Sequence, residues 1–317
     1  MKVGVILLLM LLVLAAAGYV VVKYIGSRSV SQANASLGIM STSTVAPSAP
    51  VTTTLINSTV IYASVNITIV NAQQATSFAD DHSTPAQGVV RLNLHAVQSD
   101  VNNVGTTYFT TSSAYAYPEA FALLLPGGKK VAMGSYKDLS GPPQKGNQTT
   151  WIDFPASTGL KVSQMTLHIG KDAEEQIQVP LTGHADLSQY QSRQSTLHLR
   201  VPFGSTFWTL KTVTLKLSDS GAQVTKGIRF LVLRFSVDDP STNGGNAYPP
   251  DYMRLQYGGT IITLEQVALG DVAPHTTNVP GIVSFLVPQG TTAATFILLP
   301  GHTPGATSQA TIPFQIP

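Results

Sequence analysis

The residues best suited to chemistry are acidic and amide side chains in the loops that follow two similar strands. Asp100 and Asn102 follow the first of these strands, and Asp238 and Asp239 end the second. Oxygen ligands of this kind bind Ca²⁺ in proteins. Asp and Asn also stabilise turns through hydrogen bonds to nearby backbone amides, and the chain has no D-x-D-x-D-G loop. We therefore expect turns here, with a cation site at these four residues as the alternative.

No other set of residues has the spacing of a catalytic or metal site. None of the seven histidines forms an H-x-H, H-x-x-x-H or H-E-x-x-H pair, the spacings that bring two imidazoles to one metal ion. The chain contains no cysteine, which excludes disulfides and thiol catalysis, and it lacks a G-x-S-x-G motif and a P-loop. We expect no catalytic residues, no cofactor and no enzymatic activity.

The composition favours an all-β protein that does not bind nucleic acid. Charged residues make up 11% of the chain and the net charge is +2, whereas soluble domains average about 25% charged residues. Such a balance provides no electrostatic footprint for nucleic acid. Thr, Ser, Gly, Pro and Val are abundant and long helix-forming runs are missing, which is typical of short strands joined by many turns.

The clearest strand lies within residues 227–239 and is apolar on both of its faces. Side chains alternate between the faces of a strand, so Leu231 and its alternate neighbours face one core, and Phe230 and Val232 occupy the opposite face. That second face also needs cover. We expect Phe230 and Val232 to be buried beneath a loop, the other domain or a partner, whereas Asn93 in the corresponding earlier strand is expected to be exposed.

Tyr115 and Tyr252 belong to two clusters of aromatic residues in otherwise polar segments. Tyrosine often completes a core with its hydroxyl at the rim. An exposed subset would instead form a binding surface for a glycan or a protein. Both alternatives remain open, and Tyr115 and Tyr252 are the candidates for such an interface.

Residues 1–26 are predicted to form a membrane anchor. The uncharged apolar run 3–22 lies between Lys2 and Lys23, and about 20 apolar residues span a bilayer as a helix. A small-residue cleavage site is present at 15–17, but the apolar run continues beyond it, which favours an uncleaved signal anchor over a cleaved signal peptide. We expect a single-pass membrane protein with its C-terminal bulk outside the cytoplasm, or a secreted protein if the segment is cleaved.

Residues 27–54 are predicted to be a disordered linker, because they are rich in Ser, Thr, Ala and Pro and lack periodicity. The remainder contains segments that recur in the same order. The strand at 88–100 resembles that at 227–239, and the Tyr-Pro to Gly-Gly segment at 117–128 resembles that at 248–259. Short strands separated by regular turn signals are typical of sandwiches.

We therefore predict two tandem immunoglobulin-like β-sandwich domains, at 55–190 and 195–317. The order of the recurring segments resembles the DUF4352, telokin-like family of bacterial extracellular domains, over about residues 55–317. Members are often tethered by an anchor and a Ser/Thr-rich linker, and the resemblance implies no established catalysis. This chain lacks the lipid-attachment cysteine of many members.

The expected function is that of a membrane-anchored, extracytoplasmic, non-enzymatic protein for interaction or surface structure. The alternative is a ligand-binding module for a metal ion such as Ca²⁺ or for a cell-wall or extracellular polysaccharide. The expected partners are the membrane, through the N-terminal helix, and a protein or glycan. The oligomeric state is left open.

Overall fold

The computed structural model describes residues 50–80, 87–98, 118–142, 146–242, 244, 248–302 and 304–317. The predicted anchor at 1–26, most of the predicted linker, and the candidates Asp100, Asn102 and Tyr115 lie outside the described residues. Among the described residues, no helix is both long and apolar enough to cross a membrane. Residues 49–317 form one compact unit.

Strands dominate the described residues, as the sequence predicted. The first group comprises β1 (Thr52–Tyr62), β2 (Val65–Ala75), β3 (Val89–Gln98), β4 (Phe121–Leu124), β5 (Lys130–Ala132), β6 (Ser135–Tyr136), β7 (Asn147–Pro155), β8 (Thr166–Ile169) and β9 (Ile177–Pro180). The second group comprises β10 (Arg193–Phe203), β11 (Thr206–Lys216), β12 (Ser218–Asp219), β13 (Ala222–Gln223), β14 (Ile228–Asp239), β15 (Met253–Tyr257), β16 (Thr260–Thr263), β17 (Gln266–Leu269), β18 (Thr276–Pro288), β19 (Ala293–Leu298) and β20 (Ala310–Gln315). Helical turns cover Pro118–Ala120, Val162–Gln164, Ser188–Tyr190 and Pro249–Tyr252.

The strands form four antiparallel sheets and one small hairpin. Sheet A has the order β1-β2-β3-β7-β6 and sheet B the order β5-β4-β8-β9. Sheet C has the order β10-β11-β14-β18-β17 and sheet D the order β16-β15-β19-β20, while β12 pairs with β13. The first strand begins at Thr52, inside the predicted linker, because 52–62 pairs along its length with β2.

Each pair of sheets encloses a hydrophobic core. Ile67 and Leu94 of sheet A belong to one buried cluster with Leu123 and Leu167 of sheet B. In the same way, sheets C and D share a second cluster, which includes Leu233 of β14 and Phe296 of β19. Two sheets that bury their facing sides against each other form a sandwich, and the chain contains two of them in succession.

The two sandwiches have the same order of main strands and share one irregularity. Val70 in β2 is left out of the ladders with both neighbouring strands, and Lys211 in β11 is left out in the same way. Such bulges are features of a particular strand pairing rather than of β-structure in general. When Val70 is aligned with Lys211, Leu94 corresponds to Phe235. The sequence match of 88–100 with 227–239 placed Leu94 opposite Leu233 instead, two residues away.

Candidate functional site

The face of sheet C that is turned away from its own core packs against the first sandwich. Phe230 and Val232 in β14 and Ile282 in β18 belong to the buried cluster of the first sandwich, not to that of the second. Phe230 and Val232 are each 3% exposed, so their predicted burial is confirmed and the cover is the other sandwich. Asn93 is half-buried rather than exposed, because it donates a hydrogen bond to Asn71 Oδ1 at 2.7 Å.

A loop of the first sandwich, between β8 and β9, extends this junction with polar contacts. Glu174 forms an isolated antiparallel bridge with Thr225. The carboxylate of Glu175 accepts a hydrogen bond from the Gly227 amide at 3.0 Å and forms an ion pair with Arg229 at 3.3 Å. The loop therefore joins the two sandwiches through a backbone bridge and an ion pair.

The turn between β1 and β2 makes a second polar contact across the junction. Ala63 and Ser64 both have positive φ angles, 49° and 61°, as a two-residue type I′ hairpin requires. The Ser64 amide donates to Ser218 Oγ and the Gly221 amide donates to Ser64 Oγ, each at 3.1 Å. The Ala63 amide donates to Gln223 Oε1 at 3.3 Å. The β12–β13 hairpin of the second sandwich thus docks on the first.

A polar cleft of about 270 Å³ opens at this junction. Lys216 and Arg234 from sheet C enter its lining, and so do Asn66 from β2 and Thr214 from β11. Tyr190 contributes from the segment that connects the two sandwiches; its hydroxyl accepts a hydrogen bond from the Gln178 amide at 3.2 Å. The cleft therefore combines cations, hydrogen-bonding groups and one oriented aromatic ring.

A second cleft of about 270 Å³ shares Lys216 with the first. Arg193 and Arg229 also line it. Alternate residues of the connecting segment enter the two clefts, because Ser192 and Gln194 line the first whereas 191 and 193 line the second. Within the described residues, no carboxylate lines either cleft. The connecting segment thus separates two adjacent cationic clefts.

Ion pairs position two of these cations. Lys216 Nζ lies 2.8 Å from Asp219 Oδ1, and both side chains are largely buried. Arg229 is held by Glu175 through the junction contact described above. These carboxylates lie beside the cations rather than in the linings, so they restrain the side chains that contribute positive charge to the clefts.

A separate buried charge cluster lies on the outer face of sheet A. Arg91 forms two hydrogen bonds with Asp153, each at 2.8 Å, and an ion pair with Asp80 at 2.7 Å. Its guanidinium is 4.1 Å from the ring centroid of Phe78 and 3.7 Å from that of Trp151. Burial opposes the charge, but the hydrogen bonds to Asp153 and Asp80 raise the pKa of Arg91 above its ordinary value. The cluster attaches the segment after β2 to the sheet.

Asp238 and Asp239 are turn and strand-end residues rather than converging ligands. Asp239 Oδ1 accepts the Ser241 amide at 2.8 Å, which confirms the turn predicted for this residue. Asp238 accepts the Asn278 amide at 2.7 Å and pairs with Arg200 at 3.0 Å. Neighbouring strand residues point to opposite faces. In the part of the chain that the structure describes, no three His, Asp or Glu side chains are placed to hold a metal ion.

Tyr252 lies in the core of the second sandwich. The prediction that it belongs to an exposed binding surface was therefore wrong. It is 1% exposed, stacks on Phe203 with centroids 6.1 Å apart and meets Trp208 edge-on at 6.2 Å. Burial raises the pKa of its hydroxyl. Tyr248, four residues earlier, is the exposed member of that aromatic cluster.

Sequence reasoning missed the cationic clefts. Arg193, Lys216 and Arg234 are separated by long stretches of chain and belong to no recognisable motif. Each looks like an isolated charge on a polar strand position. Pairing of β10, β11 and β14 in sheet C brings them near one another, and the first sandwich and the connecting segment close the clefts around them. No local signal could have identified them.

Comparisons with known proteins give little further information. No protein-family model matches the chain, and no curated protein matches it. Among solved structures, a conserved domain protein from Bacillus anthracis covers 83% of this chain and 90% of its own, with 7% identity and a TM-score of 0.24. A likeness at that level carries no argument about fold or function.

Proposed function

We propose that this chain is a membrane-anchored extracytoplasmic protein, without enzymatic activity, that serves as a surface interaction and structural module. The observation that carries the proposal is the junction, where Phe230 and Val232 of one sandwich are buried in the core cluster of the other. Side chains in a close-packed core have little freedom to move independently. Two sandwiches coupled in this way form a stiff unit suited to holding a binding surface at a defined distance from an anchor.

The anchor and its orientation rest on residues 1–26 and on the Ser/Thr/Pro-rich residues that follow. The chain has no cysteine, so a single introduced cysteine reports its own location. In cells that express the full chain, we expect Lys129→Cys to react with a membrane-impermeant maleimide, because Lys129 is exposed in the turn after β4. Lys2→Cys is expected to react only after the cells are permeabilised.

The cysteine-free parent chain is the control for background labelling. Deletion of residues 1–26 is expected to keep the chain out of the membrane fraction. Labelling of Lys2→Cys but not Lys129→Cys in intact cells would reverse the proposed orientation, and equal protection of both would contradict an extracytoplasmic location.

The alternative function is a polysaccharide-binding module, and the paired clefts beside the connecting segment favour it. Their linings supply hydrogen-bonding side chains and an aromatic ring, Tyr190, in a concave site between two domains, where ligand sites commonly occur. This alternative is compatible with the anchored role, since a tethered module that binds a glycan is itself a surface interaction protein.

A further inference from the structure

We propose that the two clefts at the sandwich junction form one binding site for an acidic polysaccharide. The site comprises the first cleft, with Arg234, and the second, with Arg193; Lys216 belongs to both linings. The inference gives a ligand class to the surface role proposed above, and rests on it only for access to extracytoplasmic glycans.

The charge of the site selects an anionic ligand. Arg193, Lys216, Arg229 and Arg234 line the two clefts, and no carboxylate does so within the described residues. Lys216 and Arg229 are each paired with a carboxylate outside the linings, Asp219 and Glu175, so the exposed Arg193 and Arg234 are the cations best placed to meet a ligand. Hydrogen bonds between cationic side chains and carboxylate or sulfate oxygens are stronger than those between neutral groups.

The uncharged residues of the linings suit a sugar rather than a bare anion. Gln194, Thr214 and Asn66 present amide and hydroxyl groups in the first cleft, and Gln191 and Gln289 do so in the second. Such groups match the hydroxyls of a sugar ring as both donors and acceptors. Tyr190 adds an aromatic surface that combines apolar contact with a polar rim.

The shape of the site favours a chain ligand over a flat surface. Two clefts of about 270 Å³ each lie on either side of one extended segment and meet at Lys216. Each is close to the lower limit for a small-molecule pocket, so one sugar unit with its substituents would occupy each cleft. A lipid bilayer cannot enter two separate concave clefts, and a net charge of only +2 does not favour binding of nucleic acid.

The experiment measures binding of the purified full chain, in a non-ionic detergent at low salt, to three oligosaccharide probes. These are oligogalacturonate, which carries carboxylates, a heparin-derived oligosaccharide, which carries sulfates, and neutral dextran. We expect binding of at least one acidic probe and none of dextran, with affinity that falls as salt screens the charges. The two acidic probes distinguish the anionic group that is recognised.

Arg193→Gln and Arg234→Gln are the informative variants, because both side chains are exposed and neither change should disturb folding. Each is expected to weaken binding roughly tenfold, the loss of one charge-assisted hydrogen bond. Lys129→Gln removes the same charge from a position outside both clefts and is expected to bind as the parent does. The proposal is overturned if neither acidic probe binds, if dextran binds equally well, or if Lys129→Gln weakens binding as much as the cleft variants. None of these outcomes affects the labelling test of anchoring.

Discussion

Arg91 illustrates how one buried charge organises its surroundings. Its guanidinium lies between the rings of Phe78 and Trp151 and is paired with Asp153, which is almost completely buried. Arginine suits this position because its planar group stacks on aromatic faces and binds a carboxylate through two parallel hydrogen bonds. A buried pair of this kind adds little net stability when intact, but it becomes strongly unfavourable when one partner is lost.

Replacement of Asp153 should therefore be strongly destabilising. We expect Asp153→Ala to lower the free energy of unfolding by about 3–5 kcal/mol, because it leaves Arg91 charged and without its buried partner. Urea denaturation of both proteins measures the difference. Asp172→Ala is the matched control, since Asp172 forms an exposed ion pair with Lys130 at 3.1 Å and exposed pairs contribute little. Equal effects of the two changes would contradict a buried, coupled Arg91.

His168 should make stability depend on pH. Its two ring nitrogens are buried and make no hydrogen bond of normal geometry within the described residues. Burial, followed by the charge of Lys130, lowers the pKa of His168 below 6.5, and these effects outweigh the smaller opposing contribution of the Gln176 side chain. The unfolded chain therefore binds the proton more readily, so the stability contributed by neutral His168 is present above about pH 6.5 and is lost as the pH falls through the folded pKa.

We expect the parent protein to lose stability over the range from neutral pH to below about 6.5, and His168→Gln to lose less of it, because glutamine does not titrate. Urea midpoints measured across this range provide the test. His184→Gln is a suitable comparison, since His184 lies in the loop after β9. An unchanged pH profile in His168→Gln would show that protonation of this ring does not oppose folding.

Among the structural elements, the equivalent strands β3 and β14 show how the two corresponding sheets differ. When the two sandwiches are aligned at the shared bulge, Arg91 corresponds to Val232. Arg91 is paired across the strands with Asp153, and Val232 is paired with Ser284, so Asp153 corresponds to Ser284. In the first sandwich, this face binds the Phe78–Asp80 segment through a charged pair. In the second it is largely apolar and packs against the other sandwich. The outer face of the same pair of strands is therefore covered by a chain segment in the first sandwich and by the other sandwich in the second.

The inner face of these strands shows a compensating change of size. Leu94 and its partner Thr150 correspond to Phe235 and Gly281 in the second sandwich. A Cβ atom placed on Gly281 would come within 2.2 Å of the Phe235 ring. That ring is stacked on Trp208 at 4.9 Å, so it has little room to move. Glycine is needed here for close approach rather than for its backbone conformation.

Gly281→Ala should therefore destabilise the second sandwich by about 1–3 kcal/mol, the usual effect of overpacking in a core. Chemical denaturation measures this change. Gly159→Ala is the control, because its added Cβ would find Ser157 Oγ at 3.7 Å, an ordinary contact, and we expect it to have little effect. A harmless Gly281→Ala would mean that the Phe235 ring can move despite its stacking.

At the scale of the whole molecule, the junction makes the two sandwiches one cooperative unit. The buried cluster of the first sandwich continues into Phe230, Val232 and Ile282. Unfolding either sandwich alone would expose those apolar surfaces on the other, which is unfavourable. We therefore expect one unfolding transition in the parent chain, although tandem domains with small interfaces commonly move and unfold separately.

Val232→Arg tests this coupling directly, because it places at the junction the residue type that the first sandwich carries at the equivalent position. An uncompensated charge in an apolar interface is unfavourable, so we expect the single transition in scanning calorimetry to separate into two. Leu286→Arg is the control: Leu286 is 37% exposed on the neighbouring strand, and a single transition should remain. One unchanged transition in Val232→Arg would contradict the coupling.

The class of fold and several local features follow from patterns along the chain. Alternation in 227–239 indicated a strand with two apolar faces, and the structure buries Phe230 and Val232 as that pattern required. The turn at Asp239 followed from side-chain chemistry that operates over two residues. These features can be predicted because hydrophobic periodicity and turn formation depend on residues that are close together in the sequence.

The cover of each surface and the contacts between distant residues depend instead on how the sheets pack together. Tyr252 and Tyr248 have similar sequence surroundings, yet one is a core ring and the other is exposed. Arg193, Lys216 and Arg234 lie on three neighbouring strands of sheet C, and they line clefts because the first sandwich and the connecting segment cover that part of the sheet. Docking depends on the complementary shape of whole sheet faces. Many side chains from different strands form each face, so no single stretch of the chain predicts the contact.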